Sequence, residues 1–267
     1  MDINTILFSG LSIGGMGIIF GLGLGIAAKR FAVEVNPLIA DVREALPSAN
    51  CGACGYAGCD AFAKAVVEGD AKSNGCPVGG QSCAEAVASI MGEEAAIVAA
   101  TTAFVKCKGT CDVAKEKYEY YGVEDCVAAS YLQGKGSKQC TYGCLGLGSC
   151  VKACMFGAID IVDGVAVINE EKCTSCGMCV QACPKDIIEI IPSTASVRVD
   201  CNSQEKGKDT RQACSVGCIG CRKCAKACEY DAIEFINGLA HIDYSKCTQC
   251  GACIEACPTN AISAHLS

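Results

Sequence analysis

The chain has 267 residues, 26 cysteines, no tryptophan and a net charge of −7 at neutral pH. Aromatic residues make up only 6% of it, which argues against a conventional large core and for small units stapled by metal or disulfide. The acidic balance argues against nucleic acid as a partner, and the length allows about two or three small domains.

From Ile3 to Ala28 no residue is charged, and the run is apolar enough to span a bilayer. A cleaved secretory signal is the alternative. However, Asp2 rather than Lys or Arg precedes the run, and no small-residue cleavage site in a polar setting follows it. The expectation is a retained transmembrane anchor over residues 1–30, a single pass of the cell (inner) membrane. Lys29 and Arg30 flank it, so the positive-inside rule puts everything downstream in the cytoplasm. Gly10 and Gly14, then Gly17, Gly21 and Gly25, recur at every fourth residue and bare one face for another membrane helix. No ionisable group lies inside the span, so this chain is a poor candidate for an ion path.

Residues 31–92 read as a small four-Cys iron-sulfur domain. Asn36 and Pro37 have the cap and first-turn pairing of a helix bearing Leu38, Ile39, Val42 and Leu46. Cys51, Cys54, Cys59 and Cys76 follow, separated by two, four and sixteen residues. A glycine-rich first loop leaves room for a cubane; a bare zinc ion is the alternative from spacing alone. Ser82 and Glu85 have capping-box spacing and predict a helix start, which makes Cys83 a small buried residue rather than a ligand.

Residues 93–139 read as a linker leading into a strand, then a region of extra cysteines, Cys107, Cys111 and Cys126, among Tyr118, Tyr120 and Tyr121. With Cys140, Cys201 and Cys214 these are the candidate ligands of a sixth cluster. The spacing does not choose between them.

The remainder is one pattern written twice. Cys140, Cys144, Cys150, Cys154, Cys173, Cys176, Cys179 and Cys183 recur 74 residues later as Cys214, Cys218, Cys224, Cys228, Cys247, Cys250, Cys253 and Cys257. Each second half is the Cys-x2-Cys-x2-Cys-x3-Cys-Pro run of bacterial two-cluster ferredoxins, whose fourth Cys ligates the cluster of the other half. Asp163-Gly164 and Asn237-Gly238 sit between alternating strands and predict hairpins with type I′ turns. Two tandem ferredoxin domains are expected, over 140–200 and 201–267, giving an α+β chain with five 4Fe-4S clusters before the sixth is counted. A zinc ribbon has no use for a triple run plus a distant fourth Cys, and a disulfide scaffold implies a small secreted domain. The copies differ at one ligand. The second has Cys221 in its first triple; the first has Leu147 there. Cys140 is the nearest replacement, and a three-iron cluster on Cys144, Cys150 and Cys183 is the alternative.

No dinucleotide or phosphate loop and no acid, base and nucleophile set occurs, so neither an NAD nor a flavin site nor catalytic residues are expected in this chain. The segment order, with Asn50–Cys59, Asn74–Gly80 and Cys140–Cys150, resembles the B subunits of Rnf complexes over nearly the whole chain. The resemblance implies a component of an ion-translocating ferredoxin:NAD+ oxidoreductase. It would accept electrons from reduced soluble ferredoxin at the cytoplasmic face and relay them to other membrane and soluble subunits, for NAD+ reduction coupled to Na+ or H+ translocation. The extra cysteines and the second ferredoxin copy depart from the simpler family pattern. A polyferredoxin component of another membrane oxidoreductase, such as a hydrogenase module, and a zinc-stapled assembly protein are the alternatives.

Overall fold

The computed structural model describes residues 3–31 and 36–265. The first two residues of the expected anchor, residues 32–35 of the expected four-Cys domain and residues 266–267 of the expected second ferredoxin domain lie outside the described residues.

Helix α1 (Ile3–Arg30) is a single run of 28 residues, about 42 Å long at 1.5 Å per residue against a hydrocarbon core of roughly 30 Å. From Gly10 to Arg30 it is long and apolar enough to cross a membrane. Phe8, Leu11, Ile13, Ile18, Ile19 and Phe20 are all exposed on it. Its glycine face is equally bare, since a Cβ added at Gly10, Gly14, Gly17, Gly21 or Gly25 would meet nothing within 4 Å.

Helices α2 (Pro37–Ala45), α3 (Cys59–Glu68) and α4 (Gly80–Met91) form the first packed unit. Asn36 caps α2, its side chain accepting the Leu38 N–H at 3.1 Å. Val42 and Leu46 then pack against Phe62, Val66 and Val87, with Arg43 and Asp60 paired at 2.9 Å on the rim. The capping box expected at Ser82 is overturned: α4 already begins at Gly80, behind Gly79, with no side-chain cap. Ser82 turns its hydroxyl back onto the Gly79 carbonyl at 3.4 Å, and Glu85 accepts from Gln81 at 2.8 Å. The Ser-x-x-Glu spacing therefore lies within a helical turn already formed.

Two units of one design follow. In the first, β1 (Thr101–Val105) pairs antiparallel with β4 (Ile188–Pro192), and β2 (Ile159–Val162) with β3 (Val165–Ile168). In the second, β5 (Val197–Val199) pairs with β8 (Ile262–Ala264), and β6 (Ile233–Ile236) with β7 (Leu239–Ile242). The hairpins turn on Asp163 and Gly164, with φ of +47° and +75°, and on Asn237 and Gly238, with +51° and +81°. That left-handed pair is what a type I′ turn requires.

β1 joins the segment before Cys140 to the first unit. It falls within 93–139, yet it is the amino-terminal strand of the first unit's sheet. Its residues Thr102 to Val105 are all buried, because one face meets the unit's own core and the other meets the second unit. Cys144 follows Val105 by 39 residues, whereas Cys218 follows Val199 by 19. The longer connection of the first unit includes α5 (Cys126–Ser130).

Thiols stand where aliphatic side chains would fill an ordinary core. Cys144, Cys150 and Cys179 share the first core with Ile159, Val165 and Ile188; Cys201, Cys224 and Cys253 share the second with Val199, Leu239 and Ile262. The units join through the outer face of β1. Phe104 packs with Ile191, Ala195 and Tyr244, and the Arg198 guanidinium lies 5.2 Å over its ring while pairing with Glu170 at 2.5 Å. Backbone bonds add to this, from Lys108 N–H to the Asp200 carbonyl (3.1 Å), Lys115 to Ala213 (2.9 Å) and Ser215 to Val113 (3.0 Å).

Candidate iron-sulfur sites

In the first packed unit, Cys51 and Cys54 lie on a loop that reverses through Asn50 (φ +47°), Gly52 (+73°) and Gly55 (+85°). The Asn50 side chain accepts the Cys59 N–H at 2.9 Å and so ties the loop to the start of α3. Cys54, Cys59 and Cys76 pack against one core that also contains Cys83. Cys83 is buried, as expected, and it also touches the site: its thiol beside Cys76 holds the Cys76 thiol low, at about 6. Gly79 makes that approach possible, since a Cβ there would fall 2.3 Å from Cys83 Cβ.

The ferredoxin runs close on themselves. Cys154, Cys173, Cys176 and Cys179 line one cavity with about 320 Å³ of space free of protein atoms, and Cys228, Cys247, Cys250 and Cys253 line another of about 340 Å³. Each set combines three cysteines of one run with a fourth from the partner run, the cross-ligation expected of two-cluster ferredoxins. Short helices deliver the third thiol of each run: Cys179 lies on α7 (Met178–Ala182) and Cys253 on α10 (Ala252–Glu255). Gly177 (φ +75°) and Gly251 (φ +80°) cap them in left-handed backbone. In the second unit Cys218, Cys221 and Cys257 surround Cys224 on α9 (Lys223–Ala227), whose thiol burial pushes up to about 11 with those neighbours adding.

At the Leu147 gap the structure brings a thiol from a different segment. Around Cys150, on α6 (Ser149–Ala153), stand Cys144, Cys126 and Cys183; burial pushes the Cys150 thiol up to about 12 and these three add to it. Cys126 comes from the longer connection and is held in place by two hydrogen bonds. Its N–H donates to Ser149 Oγ at 2.7 Å, and Ser149 Oγ donates to Asp125 at 2.9 Å. Asp125 also caps α5, accepting the Ala128 N–H at 2.8 Å. The sequence carried one overlooked signal, an Asp-Cys start to a helix within the connection that differs in length between the copies.

Cys140, expected at that gap, lies elsewhere. With Cys107, Cys201 and Cys214 it lines a cavity between the two units, with about 400 Å³ free of protein atoms, comparable to the two ferredoxin cavities. The four thiols are two equivalent pairs. Cys107 and Cys201 each sit two residues beyond a strand, and Cys140 and Cys214 are 74 residues apart. Cys107 Sγ accepts the Cys144 N–H at 3.3 Å, and Cys201 Sγ accepts the equivalent Cys218 N–H at 3.2 Å. Burial pushes the Cys140 and Cys201 thiols up, Cys201 to about 12. Cys111, the remaining candidate, is exposed and takes no part in the cavity lining.

These residues fit iron-sulfur clusters on three counts. Four thiols line each of the three cavities, the soft donor set that iron-sulfur clusters take. Backbone N–H groups donate to Sγ of Cys154, Cys173 and Cys257 as well as to Cys107 and Cys201, an arrangement that favours charged sulfur. Thiols as buried as Cys150 and Cys201 would stay protonated at neutral pH, whereas a coordinated metal deprotonates them outright. Beside Cys173, the hydroxyls of Thr174 and Ser175 are buried with no protein partner.

Comparison with known proteins agrees with this geometry. Residues 46–78 match a family described as a putative Fe-S cluster, and residues 166–189, 213–231 and 240–263 match families described as 4Fe-4S binding domains. The chain is therefore an iron-sulfur domain followed by ferredoxin domains. It is 51% identical, over 98% of its length and 78% of the relative's, to the B subunit of the Na(+)-translocating ferredoxin:NAD(+) oxidoreductase complex of Acetobacterium woodii. It is 45% identical to the B subunit of the ion-translocating oxidoreductase complex of Methanosarcina acetivorans, over 97% of this chain and 98% of the relative. With the B subunit of the proton-translocating ferredoxin:NAD(+) oxidoreductase complex of Clostridium ljungdahlii it shares 46% identity, over 99% of this chain and 94% of the relative.

Proposed function

We propose that this chain, which belongs to the family of B subunits of ion-translocating oxidoreductase (Rnf) complexes, accepts electrons from reduced ferredoxin on the cytoplasmic side. It relays them to partner subunits for NAD+ reduction coupled to Na+ or H+ translocation. It does so through six 4Fe-4S clusters and holds neither NAD nor flavin. The single observation that carries this reading is the inter-unit cavity. A fourfold thiol lining between two ferredoxin units supports reading them as one continuous conductor and not as two tandem domains.

The ligand sets follow from the groupings above. Cys51, Cys54, Cys59 and Cys76 hold one cluster. Cys126, Cys144, Cys150 and Cys183, then Cys154, Cys173, Cys176 and Cys179, hold the first unit's pair. Cys218, Cys221, Cys224 and Cys257, then Cys228, Cys247, Cys250 and Cys253, hold the second unit's pair. Cys107, Cys140, Cys201 and Cys214 hold the sixth. When bound, such clusters supply reversible one-electron carriers. The chain's own residues position the thiolates, donate N–H groups to them and exclude water. Helix α1 anchors the assembly with the cysteines in the reducing cytoplasm, a reading that Lys29 and Arg30 at its end support.

Anaerobically purified complex tests this directly. Iron and acid-labile sulfide attributable to this chain should each be about 24 per chain at four per cluster, and reduced ferredoxin should bleach the visible absorption. Cys201→Ser should lower the iron by about four. Stoichiometric zinc with no reduction by ferredoxin would overturn the reading in favour of a stapled assembly protein.

A further inference from the structure

Lys138 is 4% exposed, and its Nζ donates to the carbonyls of Gly109 and Gly164, both at 2.7 Å. Among the described residues no carboxylate forms an ion pair with it. Two neutral carbonyls do not compensate a buried ammonium, whose desolvation costs several kcal/mol. What Lys138 does face is the inter-unit cavity, which it lines together with Cys107, Cys140, Cys201 and Cys214. The Gly164 carbonyl that it holds is two residues from Ala166, whose N–H donates to Cys144 Sγ of the neighbouring set at 3.5 Å. The ammonium thus stands between two thiol sets. Its counterpart in the second unit is Gln212, which is neutral and exposed. The charge is therefore not a requirement of the ferredoxin design itself.

We infer that Lys138 is a potential-setting residue, a buried fixed cation that balances the anionic cluster between the units and favours its reduced form. This rests on the sixth-cluster assignment proposed above. A cluster bound by four thiolates is anionic in both redox states and gains a further negative charge on reduction. A cation held beside it therefore stabilises the reduced state more than the oxidised one. The cluster on Cys126, Cys144, Cys150 and Cys183 feels the same charge more weakly.

The test uses the intact complex and EPR-monitored redox titration of four variants. Cys201→Ser establishes whether the inter-unit cluster exists; unchanged iron in it would remove the sixth-cluster assignment and this inference with it. Lys138→Gln keeps a hydrogen-bond donor without charge, Lys138→Met removes both, and Lys138→Arg keeps the charge. In Gln and Met alike, the reduced-to-oxidised ratio of one cluster at fixed poise should fall about tenfold, a shift of about 59 mV for a one-electron couple, or that cluster should fail to load. Lys138→Arg should load it and titrate like the wild type. The second unit's clusters should not move. If Cys201→Ser loses a cluster but Lys138→Gln keeps both iron and potential at wild-type values, Lys138 only tethers its two loops and the inference is wrong. Equal impairment in Gln and Arg would also overturn it.

Discussion

The two ferredoxin units bring four thiols together by different routes. In the second, all three thiols of the first run, Cys218, Cys221 and Cys224, lie within one short stretch of chain, with Cys257 as the distant fourth. In the first, Leu147 interrupts that loop and Cys126 reaches in from α5, in the twenty-residue-longer connection. A cluster site demands four sulfurs placed in space and is indifferent to the order in which the chain delivers them. The surrounding frame is otherwise held constant. Gly146 and Gly220, with φ of +72° and +65°, pass so close to the hairpin turns that an added Cβ would fall 2.6 Å and 2.7 Å from the carbonyls of Gly164 and Gly238.

The largest effect should come from breaking the substitute ligand. Cys126→Ser is expected to convert one of the first unit's cubanes to a three-iron form visible by EPR after oxidation, while the second unit's spectrum stays unchanged. Adding Leu147→Cys, which rebuilds the second unit's arrangement, should restore the fourth iron. A wild-type spectrum in Cys126→Ser would mean that Cys126 only packs beside Cys150.

A smaller change should follow from loosening one unit from the other. Arg198 extends from β5 to Glu170 of the first unit and is only 3% exposed at the side chain, against 28% for Glu170. Arg198→Met should lower stability by about 2 kcal/mol, the worth of a charge-assisted hydrogen bond, read from the denaturant midpoint of the cluster-loaded protein. Asp125→Ala, which removes the α5 N-cap, should speed the release of iron to a chelator from the first unit alone. The second unit has Lys223 where the first has Ser149 and so lacks the Asp125–Ser149 link altogether.

The smallest expected effect is in pH dependence. His241 stands on β7 where the first unit has Val167. Burial, with Lys106 adding, lowers its pKa below 6.5, against a smaller opposing pull from Glu189. A lowered folded value means that the unfolded chain binds the proton first as pH falls. The contribution of His241 to stability is therefore complete above 6.5 and is lost as pH drops through the lower folded value. Replacing His241 with Val should flatten that acid limb and leave stability at pH 8 little changed. A midpoint whose acid decline is the same in both proteins would show that His241 does not contribute to it.

The repeat, both type I′ turns, the Asn36 cap and the apolar helix were legible in the sequence, because each depends on residues near one another along the chain. Asp-Gly and Asn-Gly dictate their own backbone, and Asn36 needs only the Leu38 N–H two residues on. Ligand runs belong to the same class, since three thiols within seven residues fix their own loop. What the sequence left open was set by contacts between distant segments. Ser82 and Glu85 imitated a helix start because the true start depends on Gly79 folding against Cys83. β1 read as a strand ending a linker and not as part of the first unit's sheet, because its partner is β4, almost ninety residues later. Cys140 was nearest to Cys144 along the chain, yet Cys126 is the one beside Cys150, because Asp125 and Ser149 close a hydrogen-bonded link across more than twenty residues. The pairing of Cys107 and Cys140 with Cys201 and Cys214 exists only once the two units dock, since no segment of chain short enough to specify its own shape contains all four.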